Sequence, residues 1–115
     1  MEYVKVVNGL ARYIREEMYP AMTDWQKMIA ADVVTRAVQY SDSIKDTVCS
    51  NSVVRALGYV DADGGIDIDG ILNRVRQAIT DKGGKWQIAI PLMPKFTFTE
   101  ADVDRLASII KAEAK

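Results

Sequence analysis

The chain has 115 residues, 49% apolar and 27% charged, and its fifteen Lys and Arg against sixteen Asp and Glu give a formal charge of -1. That length suits one domain spanning residues 1–115 around one hydrophobic core, and the composition is that of a folded protein, not a disordered one. Histidine is absent and Cys49 is the single cysteine, which excludes Ser-His-Asp and Cys-His nucleophile systems, zinc and facial-triad iron sites, and an internal disulfide within one chain.

Tyr3, Val7, Leu10, Ile14 and Met18 recur at spacings of four and three, so residues 2–18 are expected to form an amphipathic helix that Pro20 ends. Thr23-Asp24-Trp25-Gln26 has the form of a capping box, and Trp25, Ile29, Val33 and Ala37 continue as one face of a second helix reaching Tyr40. After the polar break Ser41-Asp42-Ser43, Ile44 and Val48 resume helical spacing. A second break at Ser50-Asn51-Ser52 leads to a short helical piece, Val53 to Leu57, closed by Gly58.

Tyr59-Val60 and Ile66-Asp67-Ile68 flank a segment with two glycines and read as a short β-hairpin. Asp69 is placed to cap the next helix, whose apolar face is Ile71, Leu72, Val75 and Ile79 and whose stop is Lys82-Gly83-Gly84. Trp86 to Ile90 and Phe96 to Phe98 alternate as strands on either side of Pro91-Leu92-Met93-Pro94. Thr99-Glu100-Ala101-Asp102 then opens a last helix with Val103, Leu106, Ala107 and Ile110 as its buried face.

The expected fold is α+β and predominantly helical: about five helices, a short central β-hairpin, and a C-terminal β-hairpin followed by a final helix. One core should gather Leu10, Ile14, Ile29, Val33, Leu57, Val75, Ile79, Ile88, Phe96, Leu106 and Ile110. No stretch approaches the ~18 to 20 apolar residues of a membrane span, and Met1-Glu2-Tyr3-Val4-Lys5 lacks the basic and apolar regions of a secretory signal. A cytoplasmic protein with no membrane partner is expected.

Several motifs invite a functional reading. Asp61-Ala62-Asp63-Gly64-Gly65-Ile66-Asp67 begins like a calcium loop, but Ile66-Asp67 arrives two residues early and the twelfth position is Leu72 where a bidentate Glu belongs. A plain turn is the expectation, and no metal is assigned. Cys49 follows Asp46-Thr47-Val48 with no base or cation to activate it, so it reads as a small helix residue. The carboxylate pairs Glu16-Glu17 and Asp102 with Asp104 fall on faces assigned to solvent. Lys82-Gly83-Gly84-Lys85 lacks the strand, loop and helix order of a phosphate cradle. No catalytic residue and no cofactor are therefore expected.

Trp25-Gln26 opening a helix, Arg55-Ala56-Leu57-Gly58, the segment from Asp61 to Gly70, and Lys95-Phe96-Thr97-Phe98-Thr99-Glu100 leading into the last helix together resemble small uncharacterised proteins of bacterial prophages. The resemblance implies a bacterial, phage-associated setting and transfers no site.

The functional expectation is a non-catalytic interaction or assembly module, associating with itself or with another protein. Leu92 and Met93, apolar between two prolines at a hairpin tip beside unblocked strand edges, are the candidate interface. The alternative is a small DNA-binding accessory or regulatory protein using Lys45, Asn51, Arg55, Lys82, Lys85 and Lys95. The balanced charge disfavours it, since nucleic-acid binders usually carry a basic stripe.

Overall fold

A computed structural model describes residues 1–61 and 64–114. It is predominantly helical α+β: among the described residues there are six α-helices and one two-stranded antiparallel sheet. The helix expected over residues 2–18 is α1 (Tyr3–Tyr13), which runs unbroken into a π-helical turn (Ile14–Met18) and a 3-10 turn (Tyr19–Ala21) holding Pro20. In the π turn the Tyr19 N–H reaches back to the Ile14 carbonyl.

α2 (Asp24–Gln39) starts at the expected capping box: the Gln26 N–H donates to Thr23 Oγ1 at 3.2 Å and the Thr23 N–H donates to Gln26 Oε1 at 2.9 Å. α3 (Ser41–Ser50) and the short α4 (Ser52–Ala56) follow, the second capped by Asn51 Oδ1, which accepts from the Val53 and Val54 N–H groups. α5 (Ile68–Asp81) begins where the Asp67 carboxylate accepts from the Gly70 N–H, so Asp67 caps the helix in place of the expected Asp69.

β1 (Trp86–Ile88) pairs with β2 (Phe96–Phe98) in the register Trp86 with Phe98, Gln87 with Thr97 and Ile88 with Phe96. The half-buried aromatic and aliphatic residues share one face and Gln87 and Thr97 lie exposed on the other, as a period of two requires. The ladder stops at Ile88, short of the expected Ile90. α6 (Glu100–Glu113) closes the fold.

The expected central hairpin is short: one antiparallel bridge, Val60 with Ile66, framed by the Asp67 N–H donating to the Tyr59 carbonyl and the Asp61 N–H donating to the Gly65 carbonyl, each at 2.9 Å. Its turn includes Ala62 and Asp63, which lie outside the described residues. The outer edge of Ile66 is taken up by the start of the chain: its N–H donates to the Met1 carbonyl at 2.8 Å, and the Met1 ammonium donates to the Ile66 carbonyl at 3.1 Å and to Asp61 Oδ2 at 3.0 Å.

The core gathers Val6, Cys49, Ile66, Ile68, Leu72, Ile79, Val103 and Ile110, with Val75, Trp86, Phe98 and Leu106 packed against it. α1 lies antiparallel to α6, since Lys5 Nζ donates to the Ala114 carbonyl at one end and Arg105 meets Glu17 at the other. Its opposite flank meets α2 and α3. Two buried flanks explain why α1 does not bury one stripe: Val6, Gly9 and Tyr13 form one set, Val7 and Ala11 another, and Leu10 falls between them at 40% exposed. Leu10, Val33 and Leu57 were all expected inside and are exposed.

Candidate protein-interaction surface

No residue of α2 is buried. Its half-buried apolar residues are Ile29, Ala30, Val34 and Ala37, so the expected Trp25-Ile29-Val33-Ala37 stripe keeps Ile29 and Ala37 partly covered and leaves Trp25 and Val33 exposed. Trp25, Met28 and Val33 stand outward, with Met28 71% exposed. The reason is compositional: α2 has apolar residues on every side, so periodicity alone does not choose which side packs.

The hairpin tip adjoins this helix. Ile90, Pro91 and Met93 face Ile29 and Val33 across an apolar groove of about 220 Å³ floored by Ile14 and Met22. Gln26 holds the two sides together, because the amide that completes the capping box also donates from Nε2 to the Leu92 carbonyl at 3.0 Å. The candidate interface pair therefore divides: Leu92 projects outward, 67% exposed, whereas Met93 lines the groove, half-buried. Leu92 also has φ +67°, a left-handed conformation that costs a side-chain-bearing residue about 1–2 kcal/mol.

A second apolar groove, about 360 Å³, lies on the far side of the core between α5, α3 and the start of β1, with Val48, Val75, Ala78 and Trp86 among its walls. Two cations rim it. The Arg74 guanidinium stands 4.7 Å over the Tyr59 ring and Lys82 Nζ stands 5.9 Å from the Trp86 ring centre. Neither has a carboxylate partner among the described residues. Sequence reasoning counted Lys82 among basic residues and missed Arg74, because Tyr59 and Arg74 meet only through the tertiary fold.

The remaining candidates are engaged in holding the structure. Asp61 accepts from the Met1 ammonium through Oδ2 and from the Gly65 N–H through Oδ1 at 2.8 Å, and Asp67 caps α5. Among the described residues no group of three or more Cys, Asp or Glu is placed to hold a metal ion. Cys49 is buried in the core. Glu16 and Glu17, expected as solvated charge, are ion-paired: Arg12 meets Glu16 at 2.9 Å and Arg105 meets Glu17 at 2.7 Å. The hydrogen bond from Arg12 holds the Glu16 carboxyl below its usual range. Asp102 accepts from the Thr99 N–H at 2.8 Å, and Asp104 pairs with Arg76.

The six residues of the nucleic-acid alternative are dispersed. Asn51 caps α4, and the Arg55 guanidinium donates to the Cys49 carbonyl at 2.8 Å. Lys45 lines a separate cleft with Met1 and Gly65, and Lys82 sits over Trp86. Lys85 precedes β1 and Lys95 precedes β2, so the antiparallel register sets them at opposite ends of the hairpin. No family model, curated protein or solved structure matches the chain.

Proposed function

We propose that the chain is a non-catalytic interaction and assembly module that docks through the outer side of α2 and the adjoining hairpin tip. The observation that carries this reading is the apolar surface itself. Trp25, Met28, Val33, Ile90 and Leu92 are each more than two-fifths exposed, Val33 and Ile90 share one groove, and Gln26 ties Leu92 to the first turn beside Trp25. Exposed apolar side chains gathered around a groove are the kind of surface that a docking partner covers. Leu92 supports it further, being both exposed and held in a strained conformation, as residues at contact sites often are.

The non-catalytic part of the reading rests on chemistry. Arg12, Tyr13, Glu16 and Arg105 are groups whose proton affinity departs clearly from the ordinary. The two arginines and the glutamate belong to one surface ion-pair network, and the tyrosine is a core residue. None faces the apolar grooves as a poised acid or base would. A prophage-borne accessory role in the bacterial cytoplasm is the proposed setting, carried by the resemblance in layout.

The test is the size of the native particle. In an extract of the source cell at natural abundance, the wild-type chain is expected to elute well above monomer mass. A Trp25→Ser, Leu92→Ser variant is expected to shift toward monomer. Elution of the wild type at monomer mass would overturn the reading.

A further inference from the structure

Two ridges on different helices have the same spacing and opposite character. On α2, Asp24, Met28 and Asp32 succeed one another at intervals of four residues, forming one i±4n ridge with an apolar knob between two acids. Met28 is 71% exposed, and both carboxylates reach solvent. Asp24 has no ion-pair partner among the described residues, and Asp32 makes only an exposed i,i+4 pair with Arg36 at 3.1 Å. Such a pair exchanges cheaply for another.

On α5 and its cap, Arg74, Ala78 and Lys82 repeat the interval, with a small half-buried residue between two cations. Ala78 forms part of the floor of the 360 Å³ apolar groove. Arg74 stands over the Tyr59 ring and Lys82 near the Trp86 ring, contacts that favour these positions for the two cations before any acid arrives. In each ridge the two charged residues are eight positions apart in the chain, a span of about 12 Å along a helix at about 1.5 Å per residue.

We infer that a second copy of this chain is the occupant of the α5 groove, its α2 ridge seated so that Met28 fills the space above Ala78 while Asp24 and Asp32 meet Arg74 and Lys82. This rests on the docking role proposed for α2 and names its partner. The complementarity is threefold: acid against cation at both ends, large against small in the middle, and equal spacing. The two surfaces are different patches of one molecule, so the contact is heterologous. Each added copy presents a fresh ridge and a fresh groove, and the assembly grows head to tail into a ring or a filament.

The experiment uses the purified chain alone, at low salt, by sedimentation velocity from micromolar to hundreds of micromolar. The wild type is expected to associate progressively, and less as salt rises. Asp24→Lys with Asp32→Lys, and separately Arg74→Glu with Lys82→Glu, are each expected to be monomeric. Mixed at equal amounts, the two double variants should associate again: one new contact is native and the other is its charge-reversed image. Because all four charged positions are at the surface, folding should persist, which circular dichroism checks. Met28→Ser serves as an independent variant expected to weaken wild-type association at least tenfold.

A monomeric wild type at every concentration would overturn the inference, and so would double variants that associate like the wild type or a mixture that stays monomeric. A pure monomer whose native particle is still large would leave the docking role standing and remove only the self-assembly.

Discussion

The Cβ that Gly9 lacks would lie 2.7 Å from the Cα of Ile110, closer than real side chains approach a backbone. α1 and α6 therefore cross at a distance that only glycine permits, and Ile110, 1% exposed, closes over the gap. On an open helix, Gly→Ala gains about 1 kcal/mol from helix propensity. Here the sign reverses: Gly9→Ala is expected to destabilise by about 1–3 kcal/mol through overpacking. Chemical denaturation of the two proteins measures it, and a stabilised variant would mean that the helices are farther apart than described.

Ile79 and Val33 both lie on apolar helix stripes, yet Ile79 is 0% exposed and Val33 is 60% exposed. Ile79→Ala should cost about 2–5 kcal/mol, as emptying a filled core position does. Val33→Ala should stay within about 0.5 kcal/mol of wild type. Equal losses at the two sites would show that α2 turns Val33 inward in solution.

Tyr13 is buried against Phe98, with ring centres 6.5 Å apart, and burial pushes its phenol up to about 12, helped by Asp102 and Glu17 nearby. In the unfolded chain the same group ionises near pH ~10. Between these values the unfolded state has given up a proton that the folded state keeps, so stability falls as pH rises from about 10 to about 12, and this group imposes no slope below that window. Absorbance titration should show one tyrosine ionising late, and Tyr13→Phe should remove that step. Retention of the late step in the variant would assign it elsewhere.

Leu92 combines a left-handed backbone with an exposed side chain. Leu92→Gly relieves the strain and loses little burial, so stability should rise by up to about 1 kcal/mol. Association should weaken in the same protein. A variant that is more stable and associates undiminished would remove Leu92 from the contact surface.

Gln26→Glu separates two duties of one side chain. The carboxylate still accepts from the Thr23 N–H and suits a helix N-terminus, but it no longer donates to the Leu92 carbonyl. The Met93 N–H, which donates to the Ile90 carbonyl at 3.1 Å, should exchange with solvent faster while the first turn of α2 keeps its protection. Unchanged exchange at Met93 would show that the tip holds itself.

The sequence was most readable where one stripe meets one neighbour. α5 and α6 bury Leu72, Ile79, Val103 and Ile110 on the faces their spacing implies, and the alternation from Trp86 to Phe98 gave the sheet. It was least readable where an element has two neighbours or none. α1 is clasped on two flanks, which leaves Leu10 outside, and α2 is apolar all round, which left its rotation undetermined. At the central hairpin the local pairing was legible but its third partner was not, since the outer edge of Ile66 is taken by Met1, and no local pattern announces a contact across that separation. For the candidate surface, Leu92 was legible from its position between two prolines. The aromatic supports of Arg74 and Lys82 were not, although the four-residue intervals of both ridges stand in the sequence.

The antiparallel pairing of α1 with α6 also sets a timetable for synthesis. A nascent chain leaves the ribosome from its N-terminus, so α1 emerges about a hundred residues before the helix that covers it. Until then the Gly9 notch and the Val6 and Tyr13 side chains lack the helix that covers them in the folded chain.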